Sequence, residues 1–140
     1  MDTYSILWPI HAILMGVSFL LILSGMMISR YGKKKKWWLK THRAFGSIGS
    51  IGAVAALILA VVMISITHGY HLSNTHGIFG LITVVLLLVT PFMGYWMTSP
   101  KGGSPEVKKK LRVIHRWIGR VTLLLMAVTI IFGLQLSGIL

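Results

Sequence analysis

Between Arg43 and Lys101 the chain carries no Asp, Glu, Lys or Arg, and the same holds for residues 3–29 and 121–140. Apolar runs of this length leave no way to build an ordinary water-facing surface. A bilayer core takes roughly 20 apolar residues per helix, so the middle run must hold two spans separated by a turn, and the chain four in all. Lipid offers backbone groups no hydrogen-bond partners, which leaves helices or a closed barrel, and the strict alternation that a barrel requires is absent. The expected spans are residues 6–29, 41–67, 75–98 and 107–137 within one domain, 1–140. This defines an all-α, transmembrane four-helix bundle of up-down-up-down topology. Asp2 in place of a basic start, and the length of the first apolar run, favour a retained helix over a cleaved signal.

The 14 Lys and Arg residues all lie in two stretches, 30–43 and 101–120, against only two acidic residues, Asp2 and Glu106. These stretches hold the loops joining spans 1 to 2 and 3 to 4, which an antiparallel bundle places on one side. The bias of positive charge toward the cytoplasm makes that side the inner one. Both termini and the loop 68–75 are then extracytoplasmic, and the protein is expected in an inner or plasma membrane. A net charge of +12 raises nucleic acid as a partner, but basic residues that flank membrane spans fit anionic lipid headgroups instead. Tyr4, Trp8 and Tyr70 fall at the outer boundary, and Tyr31, Trp37, Trp38, Tyr95, Trp96 and Trp117 at the inner one, where amphipathic rings settle.

Each span also carries one histidine near its start: His11, His42, His76 and His115. An imidazole inside a span is costly and faces the bundle interior, so four at matched depths call for a common cause. His11 and His76 begin the two inward-running helices, and His42 and His115 the two outward-running ones. If helices 1 and 3 are diagonal, as are 2 and 4, each pair can grip one planar iron macrocycle from both sides. That gives two haems, an outer one on His11 and His76 and an inner one on His42 and His115. The chain has no cysteine, so disulfides, thiolate-held clusters and covalent c-type attachment are excluded, and the haems would be of the non-covalent b type. Two ligands per layer are too few for tetrahedral zinc. Met15 and Met126 leave a His and Met site as an alternative.

Other residues take supporting roles. Steps of three and four from His42 pass through Gly46, Gly49, Ala53, Ala56 and Ala60, a stripe with little volume that suits either a porphyrin or close helix packing. Arg120, Arg116, Arg43 and Lys40 are candidate contacts for haem propionates or an anionic donor, with Arg120 foremost. The 33–36 lysine run suits lipid headgroups. His68 and His71, in the outer loop, are candidates for an acceptor site. With two carboxylates and no glycine-rich phosphate loop, carboxylate catalysis and nucleotide chemistry are not expected.

The segments His11-Ala-Ile-Leu-Met-Gly16, Ser29-Arg30-Tyr31, Lys40-Thr41-His42, Leu72-Ser-Asn-Thr-His-Gly-Ile-Phe-Gly80 and Val113-Ile-His-Arg-Trp-Ile-Gly119 together resemble the cytochrome b561 family. The resemblance covers nearly the whole chain, and its specific part is the four-histidine order. It implies a four-helix core with two b haems, the first and third histidines on the non-cytoplasmic haem and the second and fourth on the cytoplasmic one. It further implies electron transfer from a cytoplasmic or membrane donor, an ascorbate-like reductant or a quinol, to an extracytoplasmic acceptor such as ferric iron, and a homodimer. Eukaryotic members add a helix on each side of this core, and many have proline after the first histidine, where this chain has Ala12. A membrane-anchor cytochrome subunit that relays electrons between quinol and a larger redox complex is the alternative role, and a haem-free structural membrane protein a third.

Overall fold

The computed structural model describes residues 3–67, 69–70 and 72–140. Four helices follow one another: α1 (Thr3–Tyr31), α2 (Trp38–Ile66), α3 (Thr75–Thr98) and α4 (Pro105–Leu136). The shortest has 24 residues, about 36 Å at 1.5 Å per residue, enough to cross a bilayer. All four are apolar enough to do so. Their starts follow from local chemistry. Asn74 accepts the Gly77 amide at 2.8 Å to cap α3, and Ser104 precedes a Pro105 that opens α4 without spending an amide. At the far end of α4, Gly138 adopts φ 73°, the left-handed geometry that turns the chain out of a helix.

The bundle is two tight hairpins, α1 with α2 and α3 with α4, joined along the looser α2–α3 and α1–α4 seams. Among the described residues α1 does not pack against α3, nor α2 against α4, so these are the diagonal pairs. Without a hydrophobic force between helices in lipid, close backbone approach has to supply the packing. Gly49 shows how: a Cβ there would lie 2.6 Å from Ile22 Cγ1 on α1. Ala53, Ala56 and Met126 have no exposed surface, and with Met15 and Leu87 they form the centre of the bundle. The small-residue stripe of α2 therefore divides its work. Gly49 lets α1 approach, whereas a Cβ on Gly46 would meet nothing within 4 Å and face open space. Met15 and Met126 are packing residues of the centre.

Five hydroxyl side chains, Ser18, Ser50, Thr83, Thr122 and Thr129, are buried with this core. The three threonines donate back to their own helices, to Phe79, Ile118 and Leu125. Ser50 does something different. Pro91 inside α3 has no amide to give to Leu87, four residues earlier, and the Ser50 hydroxyl donates to that carbonyl from α2 at 3.0 Å. One hydrogen bond thus satisfies the proline's orphan and straps the α2–α3 seam. Ser50→Ala should lower stability by about 1 kcal/mol, read as an earlier unfolding transition in detergent; an unchanged transition would show that the Leu87 carbonyl finds another donor.

Candidate functional site

The diagonal arrangement brings the four span histidines together in two pairs. The His11 and His76 ring centroids are 6.1 Å apart with the planes at 80°, and those of His42 and His115 are 6.1 Å apart at 90°. No ring hydrogen-bonds to its partner. Each uses Nδ1 on a main-chain carbonyl of its hairpin neighbour: His11 on Ala56 at 2.8 Å, His42 on Gly25 at 2.9 Å, His76 on Thr129 at 2.9 Å and His115 on Thr90 at 3.1 Å. A carbonyl can only accept, so Nδ1 carries the proton and Nε2 keeps its lone pair. This is the tautomer in which a metal-binding histidine is held by its outer contact. Ring centres 6.1 Å apart are close enough for both imidazoles of a layer to ligate one metal ion. Among the described residues no third His, Cys, Asp or Glu joins either pair.

The seats repeat along the chain with one spacing. Each accepting carbonyl lies 14 residues after a histidine on its own helix: 25 − 11, 56 − 42, 90 − 76 and 129 − 115. Fourteen residues are nearly four turns, about 21 Å of rise, so every helix presents its own imidazole in one layer and a seat for its neighbour's in the other. Four residues beyond each seat stands a small residue: Ser29, Ala60, Gly94 and Gly133. This H-x13-seat-x3-small pattern is present in the sequence, yet it becomes visible only when the partner helix is known.

The His42–His115 pair lines a cavity of about 360 Å³ that opens among basic side chains, within the size range of small-ligand sites. Gly46, with its open face, also lines it, together with Arg30, Lys33, Arg43, Arg116 and Arg120. Arg120 is exposed, its guanidinium 5.1 Å from the centre of the Trp117 ring, and Arg116 donates to the Arg112 carbonyl at 3.3 Å. Arg43 is half buried, donates to Thr98 Oγ1 on α3 and lies over Tyr95. Its Nε is buried with no partner. A buried charged donor without an acceptor is costly, and Arg43 is one of five cationic side chains in the cavity wall, a lining that suits an anionic group. Lys40 is not among the cavity residues; it sits with Lys36 and Arg43 along a shallow surface depression. His68 and His71 lie outside the described residues.

Lys33, expected with the 33–36 run at lipid headgroups, and Arg30, given no site role in the sequence, both line this cavity. Trp38, expected at the interface, also places its ring 6.5 Å from that of His42, a contact that the i, i+4 spacing allows. The His11–His76 pair has no Lys or Arg comparable to Arg43, because all of these lie at 30–43 or 101–120.

These features fit a planar anionic cofactor held between opposed imidazoles. The family model for eukaryotic cytochrome b561 matches residues 10–140. The chain therefore belongs to the cytochrome b561 family, integral membrane proteins that carry electrons across the bilayer on b-type haem. No curated protein matched the chain.

Proposed function

We propose that this protein moves electrons across a membrane through two b haems, an outer one on His11 and His76 and an inner one on His42 and His115. The observation that carries this reading is the pair of crosswise histidine couples, every ring anchored through Nδ1 with its Nε2 left for iron. Bound haem supplies one-electron redox chemistry at iron. The protein's part is to hold the imidazoles, keep water from the bundle centre, and set the local field. The 14-residue spacing puts about 21 Å of packed helix between the layers, filled by Ala53, Ala56, Leu87 and Met126. Such a dry, tightly packed centre keeps the layers separate and holds the distance between them fixed.

The charge pattern gives the two centres different surroundings. Arg43 and its basic neighbours line the cavity of the inner pair, where they can hold carboxylates by charge-assisted bonds, while every Lys and Arg lies at 30–43 or 101–120, away from the helix ends that carry the outer pair. Positive charge favours the reduced, more electron-rich state, so the cations raise the inner potential. The same asymmetry sets the proposed orientation, with the basic loops cytoplasmic and both ends outside. The donor is then a cytoplasmic or membrane reductant, ascorbate-like or a quinol, and the acceptor is extracytoplasmic, ferric iron or a similar oxidant.

Three outcomes are expected. Pyridine haemochrome analysis of the purified protein should give two b haems per chain, and His42→Ala or His115→Ala should leave one; retention of both would refute the pairing. Arg43→Gln should lower the midpoint of one centre by on the order of 40 mV, the equivalent of about 1 kcal/mol for one electron, in an optical redox titration that leaves the other centre unmoved. Because the chain has no cysteine, single substitutions Lys35→Cys and Gly69→Cys should react with a membrane-impermeant maleimide from opposite sides. Lys35→Cys should be labelled in inverted vesicles only.

A further inference from the structure

The four histidine seats are not equivalent, and the difference lies one turn beyond the accepting carbonyl. On the α3–α4 hairpin that position is glycine, and the ring lies directly on it. A Cβ at Gly133 would stand 2.9 Å from His76 Cε1 and 3.1 Å from its Nδ1. A Cβ at Gly94 would stand 3.2 Å from His115 Cε1. On the α1–α2 hairpin the same position holds Ala60 and Ser29, which already carry a Cβ. Each layer thus takes one imidazole from a glycine seat and one from a seat with a side chain, and in each layer the two rings are crossed, at 80° and 90°.

We propose that Gly94 and Gly133 are positioning residues that set the planes of the His115 and His76 imidazoles, each governing one redox centre. This rests on the two-haem reading above and deepens it. Each ring is tied at Nδ1 to Thr90 or Thr129, so its remaining freedom is rotation about the bonds that carry it. The glycine leaves room for the Cε1–Nδ1 edge of the ring to lie against the helix. A methyl group there pushes on Cε1, beside the Nε2 that would bind iron, and turns the ring toward its partner's plane or lengthens the Nδ1 contact. Either change alters what the iron feels, because the relative orientation of two axial imidazoles decides how far the iron's two π-type d orbitals are split. Crossed planes leave them nearly equal, and turning one plane separates them.

Low-temperature EPR of the oxidised, haem-loaded protein tests this, with haem counted separately by pyridine haemochrome. The wild type should hold two haems and show crossed-plane spectra, each dominated by one large-g feature. Gly133→Ala should move the large-g feature and the midpoint potential of the outer centre alone, and Gly94→Ala those of the inner centre alone, the centres being assigned with His11→Ala and His42→Ala. Loss of the haem on the substituted side only is the stronger form of the same effect and supports the assignment. Two bound haems whose signals stay in place, or shift equally in both variants, would overturn it and leave the functional reading standing. Conventional three-line spectra from both wild-type centres would overturn it without any variant. A wild type that binds no haem removes the functional reading and this inference with it.

Discussion

Four hydrogen bonds, each from an imidazole Nδ1 to a carbonyl of the adjacent antiparallel helix, hold the rest of this structure in register. In lipid, a polar ring finds no water to fall back on, so a histidine within a span must find its partner in the protein or be expelled. The carbonyls already serve the helix ladder, but a second lone pair lets them take one bond more. Because the acceptor always lies on the hairpin partner, each bond fixes the sliding of two helices against each other. A slip of one residue would rotate the seat by about 100° and strand the ring.

The packing follows from that register. Gly49 against Ile22 lets α1 and α2 close, and the looser seam between hairpins is strapped where Pro91 leaves the Leu87 carbonyl for Ser50. Arg43 with Thr98, and Ser47 with Tyr95 at 3.3 Å, join the same seam at its basic end. The tight hairpins supply the rigidity and the seams supply the space. The inner cavity, with residues of all four helices in its wall, opens between the hairpins. A rigid frame around an interior space is what a cofactor protein needs, since its chemistry belongs to the cofactor and its tuning to the surroundings.

Much of the site is legible in the sequence. Uncharged runs gave four spans, and the helix ends moved by only a few residues, as capping shifts boundaries without changing spans. One histidine per span, with the alternation of direction that basic loops impose, was enough to pair His11 with His76 and His42 with His115. Less legible were the parts that depend on a neighbour's backbone. Carbonyl acceptors carry no residue-type signature: Gly25, Ala56, Thr90 and Thr129 share a spacing and no side chain. The distinction between Gly46, which faces space, and Gly49, which receives α1, also lies beyond a stripe drawn on one helix. Arg120 sits on the right face, but the orphaned donor belongs to Arg43, because burial at the α2–α3 seam is a property of two helices.

By itself, then, the sequence determined that this chain spans a membrane four times, which side its cations share, and which imidazoles stand at equal depth. Those are consequences of composition and one-dimensional period, and the bilayer enforces them on each helix separately. The tertiary structure alone decided which carbonyl holds each ring, that the rings of a pair lie crosswise, and that one arginine in the wall of the His42–His115 cavity keeps a buried, unpartnered donor. These depend on the rotation and offset of two helices about their shared axis, quantities set to a fraction of a turn by small residues and interhelical hydrogen bonds and written in no single segment of the chain.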